Sequence, residues 1–176
     1  MKKLFLAAAL LLALTAVQAQ IRFGIKGGVN FSDLSGNIAT STRTGFHVGA
    51  IVEIKASPTF SIQPELVYSA QGAKITSSAL REINYNYITV PVLLKYYVIT
   101  DALSIEAGPQ FAFLVNDNVG QTFKTKSFDF GAVGGVGLNI TKSFFTQARY
   151  VLGLSNTTSD AKITNRVIQL SLGYEF

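Results

Sequence analysis

The segment Val167-Ile168-Gln169-Leu170-Ser171-Leu172-Gly173-Tyr174-Glu175-Phe176 alternates without interruption. Ile168, Leu170, Leu172, Tyr174 and Phe176 fall on one face of an extended chain; Gln169, Ser171, Gly173 and Glu175 fall on the other. A period of two is that of a β-strand, and a strand with one apolar and one polar face separates two unlike surroundings. Seven further stretches upstream show the same alternation: residues 23–31, 46–54, 60–68, 87–98, 103–115, 128–140 and 144–154. Past residue 19 no run has helical period.

The distribution of charge says which face meets what. In none of the eight stretches does the apolar face carry a charged residue. The opposite face is built from Gly, Ser, Gln and Asn with isolated charges. A soluble sandwich or lipocalin-like barrel points its apolar face inward and spreads Lys and Glu over the outside. Here the polar face is too small and too sparsely charged for that role. A Lys or Arg on a lipid-facing strand costs about 2–4 kcal/mol at mid-membrane, so a charge-free apolar face is what a membrane wall requires. The composition agrees: 48% hydrophobic and only 14% charged, against roughly 25% charged in an average soluble domain. The expected fold is all-β, an eight-stranded antiparallel up-and-down transmembrane β-barrel. A soluble binder with the faces reversed is the competing fold.

The connections alternate in length. Segments 32–44, 70–86, 116–127 and 155–166 are long and polar; 55–59, 99–102 and 141–143 are short. An up-and-down outer-membrane barrel has short periplasmic turns and longer outer loops, which places both mature termini in the periplasm. Asp33, Arg43, Lys74, Arg81, Glu82, Asp117, Lys124, Lys126, Asp160, Lys162 and Arg166 then fall in outer loops. Aromatic residues such as Phe23, Phe31, Phe46, Phe60, Tyr68, Tyr96, Phe128 and Phe144 lie near strand ends, where interfacial girdles form. Pro64, Pro91 and Pro109 lie inside strands, where a missing N–H implies bulges or locally unpaired sites.

The N-terminus has another character. Lys2 and Lys3 precede an apolar run at 4–14, and Val17 and Ala19 occupy the −3 and −1 positions of a cleavage site. Residues 1–19 read as a cleavable signal peptide and 20–176 as the barrel domain. With no cysteine, lipidation at a Cys and disulfides are excluded. The net charge of +5 falls to +3 without Lys2 and Lys3, and no basic cluster marks a nucleic-acid partner.

Several segments resemble the PorT-like outer-membrane β-barrel family of Bacteroidota. Residues 23–32, Phe-Gly-Ile-Lys-Gly-Gly-Val-Asn-Phe-Ser, are similar to its first strand. Residues 87–96, Tyr-Ile-Thr-Val-Pro-Val-Leu-Leu-Lys-Tyr, resemble its most characteristic segment, with Thr89 where the family usually has Glu. Glu106-Ala107-Gly108-Pro109-Gln110, Asp129-Phe130-Gly131 and Ala148-Arg149-Tyr150 resemble later strands. The resemblance implies an eight-stranded outer-membrane barrel in the bacterial cell envelope and says little about activity.

For chemistry, the inward face holds Lys26, His47, Glu53, Glu65, Lys95, Glu106, Asp129, Arg149 and Glu175. Buried charges must pair, so these residues are expected to form a structural network that fills the lumen. His47 is the only histidine, and nothing marks one serine as its nucleophile. No metal-ligand cluster is evident, and the glycines of 131–137 lack a nucleotide-binding spacing. The reading is a non-enzymatic envelope protein without cofactor; a narrow solute channel or a secretion accessory are the alternatives. Tyr174 and Phe176 on the final strand resemble the signal read by the barrel assembly machinery. Expected partners are outer-membrane lipid, that machinery, and an envelope or secretion protein.

Overall fold

A computed structural model of the chain describes residues 20–35, 40–75, 82–117, 128–154 and 164–176. Eight strands are present: β1 (Gln20–Ser35), β2 (Thr40–Lys55), β3 (Phe60–Ile75), β4 (Glu82–Ile99), β5 (Leu103–Asp117), β6 (Phe128–Asn139), β7 (Phe144–Gly153) and β8 (Thr164–Glu175). They close into one barrel in chain order, each strand antiparallel to its neighbours, with β8 returning to β1. The expected fold is therefore observed.

The strands are strongly staggered. One row of facing residues starts at Tyr97 on β4 and runs through Ser104, Gly137, Gln147, Ser171, Gly28, His47 and Ser69. It returns to β4 at Tyr87, ten positions from its start. Closing a sheet with such a shift requires tilted strands and fixes which interior side chains share a level.

The two faces are as the alternation demands. Phe23, Ile25, Leu66, Leu94 and Leu172 point outward and are about half exposed, while Lys26, Asn30, Glu53, Glu65 and Arg149 are buried inside. On β1 the outward row from Phe23 to Phe31 is free of charge until Asp33, which faces Arg166 on β8. That span of nine residues matches the ~9–11 needed by a tilted strand to cross the hydrocarbon core. Outward ring pairs Phe60–Tyr96 and Phe144–Tyr174 lie near the short turns; Phe46–Tyr68 and Phe113–Phe128 lie toward the other end.

Three expectations are corrected or made definite. First, much of the segments read as long loops is strand: β1 runs on to Ser35, β3 to Ile75, and β2 and β4 begin at Thr40 and Glu82. The apolar-outward alternation ends there because the outward face leaves the hydrocarbon zone and turns polar, as at Asn86, while the inward face still carries Tyr85. Asp33, Arg43, Lys74, Glu82, Asp117 and Arg166 thus occupy strand positions, with Asp33 opposite Arg166 and Lys74 opposite Glu82. Second, of the bulges or locally unpaired sites expected at the prolines, the unpaired sites are what is observed. Pairing lapses opposite Pro64 on its β2 side, Pro91 on its β3 side and Pro109 on its β4 side, and the register resumes unchanged beyond each. Third, register shifts occur elsewhere, between Thr42 and His47, Asn86 and Tyr87, and Tyr97 and Ile99. The expected signal peptide and Arg81, Lys124, Lys126, Asp160 and Lys162 lie outside the described residues.

Candidate functional site

The interior is a stack of side-chain layers, and its centre is an ion-pair knot. Arg149 on β7 donates from Nη1 to Glu65 Oε2 at 2.9 Å and from Nη2 to Glu65 Oε1 at 2.8 Å. Its Nε donates to Glu106 Oε2 at 2.9 Å. Lys26 Nζ stands 2.7 Å from Glu65 Oε2. The four partners come from β1, β3, β5 and β7, so alternate strands meet across the lumen. Gln63 Nε2 donates to Glu65 Oε1 at 2.6 Å, and Gln147 Nε2 to Glu106 Oε1 at 3.0 Å. Buried carboxylates at this depth are tolerable only when their lone pairs are occupied in this way.

Toward the short turns, Glu53 Oε1 accepts from Ser61 Oγ and from Tyr97 Oη, each at 2.6 Å. Lys95 Nζ donates to Gln63 at 3.0 Å and stands 3.5 Å from Glu53 and 5.3 Å from the Tyr97 ring centre. Lys95 thereby joins this layer to the knot. Glu175 pairs with Arg22 at 3.5 Å.

A second cluster surrounds His47. Asn30 Nδ2 donates to the carbonyls of Phe46 and Ala70 at 3.0 and 2.9 Å, which fixes its amide so that Oδ1 faces His47 Nδ1 at 2.8 Å. An amide oxygen only accepts, so Nδ1 carries the proton and Nε2 accepts from Ser171 Oγ at 2.8 Å. Ser171, His47 and Asn30 thus have the connectivity of nucleophile, base and orienting group. All three are buried, and a Cβ placed on Gly28 would lie 2.8 Å from the His47 ring, so the cluster is packed where a substrate would have to enter.

Above the knot lies an apolar row: Leu93, Val133, Val151 and Val167 form one buried cluster. Gly108, opposite Val133, leaves the room that brings Leu93 into line: a Cβ there would overlap the Val92 carbonyl. Beyond it, Asp129 lines a small cavity of about 10 Å³ with Gln71, Tyr87 and Gln110. That is room for about one water. Among the described residues no group of three or more His, Asp or Glu side chains could hold a metal ion.

Residues 17–159 match the family described as outer membrane protein beta-barrel domain. The chain belongs to that family. Its place is the bacterial outer membrane. No curated protein matches the sequence. Among solved structures, this outer membrane barrel is similar to Ail, the attachment invasion locus protein of Yersinia pestis, solved with the heparin analogue sucrose octasulfate. The match has 15% identity and a TM-score of 0.56, and covers 89% of this chain and 99% of that one. Neisserial surface protein A gives a TM-score of 0.59 at 11% identity, over 88% and 97% of the two chains. OprG from Pseudomonas aeruginosa gives 0.53 at 12% identity, over 90% and 97%. At these identities the likeness is one of fold.

All nine interior residues anticipated from the sequence face inward in this outer membrane barrel. Lys26, Glu65, Glu106 and Arg149 form the knot; Glu53 and Lys95 lie below it, His47 in its own cluster, Glu175 near the short turns and Asp129 at the far end. Tyr97, Gln63, Gln147, Asn30 and Arg22 complete the network and were not singled out. Tyr97 and Gln63 were accessible in principle, since the period of two carries inward from Lys95 and Glu65.

Proposed function

We propose that this outer-membrane barrel is non-enzymatic and closed, and serves the envelope as a structural or contact protein through its outward rim. The filled lumen supports this reading. A hydrated ion crossing it would have to displace Arg149 from Glu65 and Glu106 and then pass the apolar row at Leu93, Val133, Val151 and Val167. The packed surroundings of Ser171 and His47 support the absence of hydrolysis. The short turns and both barrel ends, Gln20 and Phe176, belong on the periplasmic side, the longer connections outside. Tyr174 and Phe176 serve as the signal to the assembly machinery, and lipid is the surrounding partner.

Planar-bilayer recording of the purified, heat-modifiable protein tests this. No conductance steps are expected. Discrete steps would establish the narrow solute channel instead, a reading favoured by the charges that line the lumen. The likeness of residues 87–96 to PorT-like barrels favours a place beside protein secretion; unchanged secretion after deletion of the gene would remove it.

A further inference from the structure

The outward wall is not uniformly ridged. Across β1, β2, β7 and β8 it carries an apolar groove of about 280 Å³, lined by Ile25, Gly27, Val48, Phe144, Leu172 and Tyr174. Gly27 makes the dent, because it is the outward residue between Val48 and Leu172 and has no side chain. The backbone does not require glycine there: an added Cβ would meet only the His47 carbonyl oxygen at 3.5 Å, an ordinary contact. At inward Gly28, one residue on, it would collide with the Leu170 backbone and the His47 ring. So the groove is not a by-product of strand packing.

Its foot is amphipathic. The Phe144 and Tyr174 rings meet edge to face with centres 5.0 Å apart. Lys142, exposed, lies in the adjoining turn, which the bond from Glu175 N to the Ser143 carbonyl at 2.8 Å pins against β8. From the turn into the membrane the order is cation, aromatic pair, apolar trough. That order complements a molecule with an anionic head and a hydrocarbon chain. We propose that the groove holds one acyl chain of an anionic phospholipid of the periplasmic leaflet, with Lys142 at its phosphate. The leaflet rests on the periplasmic placement of the short turns argued above.

The test reconstitutes the full barrel in nanodiscs of phosphatidylglycerol or of phosphatidylethanolamine and releases it for native mass spectrometry, after the boiling shift has shown each variant folded. Wild type is expected to retain one phosphatidylglycerol. Gly27→Leu fills the trough and is expected to lose it. Gly134→Leu places the same side chain at an outward position on β6 with open space around it and is expected to keep it. Lys142→Gln is expected to lose the preference for phosphatidylglycerol. Retention by Gly27→Leu equal to wild type would overturn the site, as would no retained lipid, or a barrel pair that Gly27→Leu dissociates. Labelling of Lys142→Cys from outside the cell would overturn the orientation and hence the leaflet. No lipid retained by wild type, with labelling only from the periplasm, would overturn the lipid site and leave the orientation standing.

Discussion

Arg149 holds both carboxylate oxygens of Glu65, from strands four places apart around the barrel, and reaches Glu106 with its third nitrogen. Truncating one member of a buried ion pair leaves an uncompensated charge and typically costs ~3–5 kcal/mol. Arg149→Met strands Glu106, whose remaining partners are Gln147, Ser104 and a distant Lys95, while Glu65 keeps Lys26 and Gln63. Urea unfolding in lipid vesicles is expected to show a loss in that range. Adding Glu106→Gln to Arg149→Met removes the stranded charge and is expected to restore most of it. A single variant as stable as wild type would refute the central role of the knot.

Asn30 tests the His47 cluster. Its amide donates to two backbone carbonyls and to Ser69 Oγ, while its oxygen takes bonds from His47 and Gln169. Asn30→Asp is nearly isosteric but turns an acceptor toward the Phe46 and Ala70 carbonyls, which then lose their donor. Leaving buried groups unsatisfied costs ~1–3 kcal/mol each, so the midpoint of unfolding is expected to fall by a larger step than for Ser171→Ala, which breaks one bond. Equal effects would mean that the amide orientation does not organise this cluster.

The inward assignments were legible because a period of two needs nothing but the order of residues. Lys26, Glu65, Glu106 and Arg149 each follow from it. That these four meet does not: Arg149 and Glu65 are 84 positions apart, and only the stagger of the closed sheet brings them to one level. The strand ends were hidden for another reason. Tyr85 fell in a segment read as loop, yet it is buried inside with its ring 6.2 Å from that of Tyr87. Above the hydrocarbon zone the outward face turns polar, as at Asn86, so alternation no longer signals a strand. Arg22 was missed because it lies one residue before the first stretch, and Tyr97, on the inward face of 87–98, because only charged residues and His47 were taken from that face.

Glycines separate into two kinds that a sequence does not distinguish. On β5, a Cβ at Gly108 would overlap the Val92 carbonyl and press on the Leu93 Cα. On β6, a Cβ at Gly134 would meet nothing within 4 Å. Gly108→Ala is expected to destabilise by ~1–3 kcal/mol through forced strand displacement. Gly134→Ala is expected to be neutral or slightly stabilising, by restricting the unfolded chain. Paired urea titrations decide it; equal midpoints would show that β4 and β5 can separate without cost.

The turn between β4 and β5 carries a pH dependence outside the membrane span. Asp101 has φ of 59° there, the left-handed region that Asn and Asp tolerate best after Gly. The hydrogen bond from the Lys55 ammonium holds its carboxyl below the ordinary carboxylate value, with the charge of Lys55 acting in the same direction. A depressed folded-state value means that the pair contributes stability fully above the ordinary carboxylate pKa of ~3.9 and loses it as the pH falls through the lower folded value. Asp101 is exposed, so solvent screening keeps the effect small. Asp101→Asn preserves the turn conformation and removes the charge. Its unfolding midpoint is expected to lie slightly below wild type at pH 7 and to converge with it once the pH has fallen below the lowered folded value. Asp101→Ala adds backbone strain that does not titrate, so its deficit is expected to persist at low pH. A wild-type advantage over Asp101→Asn that stayed constant from pH 7 to 2 would show that the Lys55 pair contributes nothing, and that the side chain acts through the turn alone.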